Sequence, residues 1–255
     1  MIMAKTEVIM RVKISDEYLN LRFSYCNQIL NSLPRVFCGI HRGVPVLRTR
    51  QRSKDGRFIV KEVLVSSKKA SAFKEIDLLR KKLSQEIKTL KNTKGVDPKV
   101  ASRMKVARSG NMNGEFFKSL VAESNSRSFK SNYSHKGIQM RSRAELLVAE
   151  VLDELNLQYK YEPAIEFNGT VYNPDFIVYI EAIDSCFIIE VLGMTDNPDY
   201  WYKNVPKFAD YARSGLLING ELLLIAGTES HIPDTDDIYN SIVGMINLAV
   251  WRALA

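Results

Sequence analysis

Asn173-Pro-Asp-Phe-Ile-Val-Tyr179 and Cys186-Phe-Ile-Ile-Glu-Val-Leu192 decide how this 255-residue chain is read. The second run is almost wholly apolar, the pattern of a strand buried on both faces. Glu190 interrupts it, and a carboxylate in a buried strand requires a cation or a hydrogen-bond donor beside it. The first run reads as a strand with Asn-Pro-Asp inside it. Residues 181–185 read as a turn, so hairpin pairing brings Asp175 and Glu190 side by side. Two carboxylates held that close repel each other and make a strong site for a hard divalent cation. Mg²⁺ suits it, or Mn²⁺ in its place. Mg²⁺ accepts one or two carboxylates and fills its shell with waters and phosphate oxygens.

Outward from these strands, residues 142–155 form an amphipathic helix with Leu146, Ala149, Leu152 and Leu155 on one side. Glu145 sits early in it. Residues 158–163, 165–170 and 171–179 read as strands, 198–213 as a helix, 220–227 as a buried strand and 234–255 as a closing helix. This order predicts an α/β domain, a mixed α+β sheet flanked by helices. Tyr200, Trp201 and Tyr211 read as packing residues of the 198–213 helix.

Together, Asn173-Pro-Asp-Phe-Ile-Val-Tyr179, Ile188-Ile-Glu-Val-Leu-Gly193 and Arg143-Ala-Glu-Leu-Leu-Val-Ala-Glu150 resemble the core of the PD-(D/E)xK nuclease superfamily. The resemblance covers roughly residues 138–228. It implies a restriction-endonuclease-like fold in which Asp175 and Glu190 hold Mg²⁺, with Glu145 as the helical acid. The family's lysine, two residues after the Glu, is Leu192 here. Some branches move that lysine to the following helix, and Gly193-Met, Tyr200, Lys207 and Tyr211 look like one such branch, found in bacterial and phage proteins. The resemblance thus implies Lys207, with Lys203 second, as the catalytic lysine beside Glu145, Asp175 and Glu190.

The charge is divided. Residues 1–140 carry 29 Lys and Arg against 11 Asp and Glu, and residues 141–255 carry 7 against 18. A basic half points to nucleic acid. Residues 16–33 read as a helix ended by Pro34. Two β-prone runs around Asp55-Gly56 read as a hairpin, and the first of them sets Arg48, Arg50 and Arg52 on one face. Ser66-Ser67 offers an N-cap for a long helix to about Lys91, with Lys68 and Lys69 at its start. These basic residues, with Arg141 and Arg143 at the start of the 142–155 helix, are the expected phosphate contacts. Residues 93–137 are polar and turn-rich, and their basic second part carries Phe129 and Tyr133. The expected organisation is a basic helical and β-hairpin region over 1–92, a basic flexible linker over 93–137 and the nuclease-like domain over 138–255.

The longest apolar runs stop well short of the roughly 20 residues of a membrane span. Met-Ile-Met-Ala-Lys-Thr-Glu7 lacks a signal-peptide pattern, so the expected location is the cytoplasm. Cys26, Cys38 and Cys186 have no metal-binding spacing, and the three histidines show none either. The expected function is a metal-dependent DNA endonuclease, with a homodimer through the 66–92 helix supplying two sites for a duplex. The alternative is a catalytically inactive nuclease fold that binds DNA as a recombination accessory. A coiled-coil protein with a coincidental acidic cluster is a third reading, and it predicts no salt-dependent DNA affinity.

Overall fold

A computed structural model describes the protein over residues 10–107, 110–122 and 131–255. Phe129 lies outside the described residues. The protein is a mixed α/β structure with seven α-helices and several small sheets among the described residues. No helix among them is long and apolar enough to cross a membrane. The chain divides into two compact units. One is Leu19–Met104, and the other joins residues up to Tyr18 with Lys105–Ala255.

In the Leu19–Met104 unit lies most of α1 (Asp16–Ser32), which stops before Pro34. Arg80 closes its end by donating from Nη1 to the carbonyls of Leu30 (2.8 Å) and Leu33 (2.6 Å), groups that a helix terminus otherwise leaves unpaired. Three strands follow, β1 (Arg35–His41), β2 (Val44–Arg52) and β3 (Phe58–Leu64), in an antiparallel meander. The expected hairpin therefore gains a strand. Arg42 and Gly43, with φ of 48° and 82°, make the two-residue loop that joins β1 to β2. Positive φ at both positions matches the twist of the flanking strands. Helix α2 (Ala70–Lys91) packs against β1 and β2. It begins after Lys69 with no side-chain cap, later than the Ser66-Ser67 signal suggests. A short α3 (Pro98–Ala101), capped by Asp97, follows.

The second unit contains α4 (Gly114–Ser119), β4 (Tyr133–His135), β5 (Ile138–Met140), α5 (Arg143–Glu154), β6 (Gln158–Tyr161), β7 (Ile165–Phe167), β8 (Thr170–Tyr172), β9 (Phe176–Ile180), β10 (Ser185–Leu192), α6 (Pro198–Arg213), β11 (Leu222–Ala226) and α7 (Thr235–Leu254). Its main sheet has the order β11-β10-β9-β6. β10 runs antiparallel to β9 and parallel to β11. A parallel neighbour needs a crossover, and α6 supplies it. Ile177, Cys186, Ile188 and Leu222 on one face of the sheet form a core with Phe117, Tyr211 and Leu216. Side chains alternate along a strand, so Phe176, Val178, Phe187 and Ile189 point the other way. On that side α5 packs with α7, and their Val148, Ala149, Ile242 and Ile246 are fully buried.

Candidate active site

Asp175 occupies a bend immediately before β9, at the mouth of the strand rather than inside it. Pro174 has no N–H for a ladder bond, so the strand starts after it. Pairing with β6 still extends one step past the strand, because the Glu162 N–H donates to the Asp175 carbonyl at 3.0 Å. Phe176 faces Ile189 on β10, and the register therefore sets Asp175 beside Glu190 on the face that meets α6. The Val191 N–H fixes the Asp175 carboxyl by donating to Oδ2 at 2.7 Å.

Glu190 is 1% exposed. Two α6 side chains one turn apart converge on it. Lys207 Nζ donates to Oε2 at 2.6 Å, and the Tyr211 hydroxyl donates to Oε1 at 2.7 Å. The strand register sets the Asp175 carboxyl beside that of Glu190. Burial raises both groups above the ordinary carboxylate range. Lys207 and Tyr211 counter this at Glu190, whereas the charges of Glu190 and Glu145 add to it at Asp175. The site thus favours the protonated form more strongly at Asp175 than at Glu190. Asp175 keeps a solvent-accessible part, so the pair opens to the outside on its side.

The Tyr211 ring is fully buried between Phe167, Tyr172 and Phe208. Burial and the Glu190 charge hold its phenol protonated, as a donor. Tyr200, three turns earlier on α6, is half-buried. Burial and the nearby Asp175 charge raise its phenol. Lys203 is exposed and makes no hydrogen bond or ion pair among the described residues. Between the two lysines, Pro206 gives no N–H to the Tyr202 carbonyl one turn back.

Glu145 stands apart from the pair. Its carboxylate accepts from the Ser142 hydroxyl (2.9 Å), the Arg141 N–H (3.0 Å) and the Tyr161 hydroxyl (2.7 Å), while Ser142 Oγ caps the Glu145 N–H. This is the N-terminal box of α5, a sufficient structural reason for a Glu three residues after a Ser. Its charge still acts on Asp175. Among the described residues no group of three or more His, Cys, Asp and Glu side chains could hold a metal ion. Of the three expected metal ligands, the structure brings Asp175 and Glu190 together, while the α5 cap engages Glu145.

Arg141, expected at a phosphate, pairs through Nε (2.5 Å) and Nη2 (3.3 Å) with the buried Glu162. Arg143 is exposed at the first position of α5. In the other unit Arg48 pairs with Glu62, Arg50 lies over the Phe58 ring, and Arg52 donates to the Gly56 carbonyl. Lys68 and Lys69 are exposed in the turn before α2. Sequence reasoning missed Tyr211 and Tyr161 as carboxylate donors.

A divalent cation fits the Asp175–Glu190 pair. Two carboxylates beside one ammonium leave one negative charge unbalanced. A cation meets that need, and each carboxylate oxygen has a further lone pair to give. No family model, curated protein or solved structure matches this chain.

Proposed function

We propose that the second unit is a restriction-endonuclease-like domain and that the chain is a Mg²⁺- or Mn²⁺-dependent DNA endonuclease. The order α5, β6, β9, β10, α6, β11 supports this reading. The observation that carries it is the meeting of Asp175, Glu190 and Lys207 at one end of the β9–β10 pair. Asp175 and Glu190 would hold the cation, which when bound activates water and stabilises charge on the phosphate. Lys207 keeps Glu190 ionised and sets a positive charge where a phosphodiester oxygen would lie. Tyr211 fixes the Glu190 rotamer from its buried ring. Leu192, at the family's usual lysine position, is 2% exposed and apolar, and α6 supplies the ammonium from the side.

The basic Leu19–Met104 unit would hold DNA by its phosphates. Duplex scission needs two sites, and α2, with Leu78 69% exposed, is the proposed contact between two copies. The test is nicking of supercoiled plasmid with Mg²⁺ or Mn²⁺. Activity in the wild type that is lost in Asp175→Ala and Lys207→Ala supports the reading. A second reading, a nuclease fold that binds without cutting, is favoured by one observation: both Glu190 oxygens already have donors and no third carboxylate joins the pair. Intact plasmid with equal binding by the wild type and Asp175→Ala would select it.

A further inference from the structure

The three-stranded sheet presents a face that its own contacts leave unbalanced. Cross-strand register places Arg35 directly opposite Arg50, Phe37 opposite Arg48, and Phe58 opposite Arg52, and paired residues share a face. The opposite face carries the buried Leu47 and Thr49, on the side that α2 covers. On the arginine face Phe37 is 47% and Phe58 55% exposed. Like charges directly opposite each other destabilise a sheet. The one carboxylate on this face is Glu62, and His41 and Arg48 already engage it. Arg35 has no hydrogen bond or ion pair among the described residues. The Arg35–Arg50 pair therefore lacks an anion. The unit as a whole carries 20 Lys and Arg against 6 Asp and Glu, a net charge of +14.

From this juxtaposition we propose that the face is a binding platform for single-stranded nucleic acid. Arg35, Arg50 and Arg52 take backbone phosphates, and unstacked bases lie on Phe37 and on the Arg50–Phe58 stack. The Arg50 guanidinium sits 3.7 Å from the Phe58 ring centroid, so arginine and ring form one flat layer to which a base adds. Exposed aromatic rings favour a single strand over a duplex, because only a single strand frees base faces to meet them. The surface lies within the Leu19–Met104 unit and stands whether or not the other unit cleaves.

The test is fluorescence anisotropy of the full chain in EDTA with a labelled oligo-dT, an oligo-U of the same length and a mixed-sequence duplex. Oligo-dT or oligo-U binding more tightly than the duplex is expected, and their order identifies the natural strand. Phe37→Ala and Phe58→Ala are each expected to weaken single-strand binding roughly five- to 150-fold, the range for one lost stacked base. Arg35→Gln is expected to flatten the log–log salt dependence by about 0.7. Glu62→Gln removes the only competing anion and is expected to tighten binding, a gain that misfolding cannot imitate. Asp175→Ala is expected to bind like the wild type, which separates this platform from the nuclease reading. Equal or tighter binding of the duplex, with the Phe37 and Glu62 variants unchanged, would overturn the proposal.

Discussion

Replacing Asp175 by Asn is expected to make the metal-free protein more stable. Asp175 and Glu190 are neighbouring carboxyls, and one ammonium, that of Lys207, reaches them through Glu190. Two unit charges about 4 Å apart in a medium of effective dielectric constant 20 interact by about 4 kcal/mol. Burial and the Glu190 charge favour the protonated form of Asp175, whose ordinary value is 3.8, and so limit that repulsion. The amide of Asp175→Asn donates to Glu190 without binding a proton, and its oxygen still accepts from the Val191 N–H. Part of the gain is offset by solvation and by the weaker pull of Lys207, which leaves a net stabilisation of about 1–2 kcal/mol.

The assay is urea unfolding in EDTA followed by tryptophan fluorescence. Burial first, and then the Glu190 charge, hold Asp175 above its ordinary value. In that window the folded state binds a proton that the unfolded state releases, so wild-type stability falls as pH rises from 3.8 toward the raised value. The advantage of Asp175→Asn is therefore absent below pH 3.8 and grows above it. Added Mg²⁺ reverses the order, because a cation that binds only the folded wild type stabilises it by mass action. A lower urea midpoint for Asp175→Asn in EDTA at pH 7 would refute the reasoning.

Tyr211→Phe keeps the buried ring and deletes one donor to a buried carboxylate, a loss of about 1.5–3 kcal/mol in unfolding free energy, read from urea titration. Arg141→Ala strips the buried Glu162 of its guanidinium and is expected to cost about 2–3 kcal/mol, less than a fully buried pair because Arg141 is partly solvated. Combining it with Glu162→Gln should recover part of that loss. At Gly114 an added Cβ would lie 2.6 Å from the Tyr179 hydroxyl and 2.8 Å from Asp184 Oδ1. Gly114→Ala should cost about 1–3 kcal/mol by thermal melting, and adding Tyr179→Phe should relieve some of it.

The main-sheet strands of the second unit were legible because their apolar runs are short, continuous and bounded by Pro and Gly, whereas β4 and β5, too short and polar for such a run, were not. Helices α5 and α6 were legible from their period, and Asn197 caps α6 just before Pro198 at its first position. Glu190 stood out as a charge where burial forbids one unpartnered. The Tyr211 role was hidden, because an aromatic on an apolar helix face and an aromatic whose hydroxyl ends on a carboxylate have the same pattern. Glu145 carried two signals at once. Ser142-x-x-Glu145 is a capping box, and the superfamily resemblance drew attention to its charge first. β1 went unread because its alternation is blurred. Both faces of Arg35–His41 are half exposed, and the Arg42-Gly43 loop lacks the Asn or Asp that usually announces such a turn.

Pro206 gives α6 two halves with different lifetimes. A missing ladder bond at mid-helix lowers the free energy needed to open the first half, which holds the exposed Trp201, Tyr202 and Lys203. The second half is anchored by the buried Tyr211 and by Lys207 on Glu190. Amide hydrogens of residues 201–205 should accordingly exchange by local fluctuation, and those of residues 209–213 only when the sheet itself opens. The first half of the helix can then loosen and re-form while the residues that hold Glu190 keep their places.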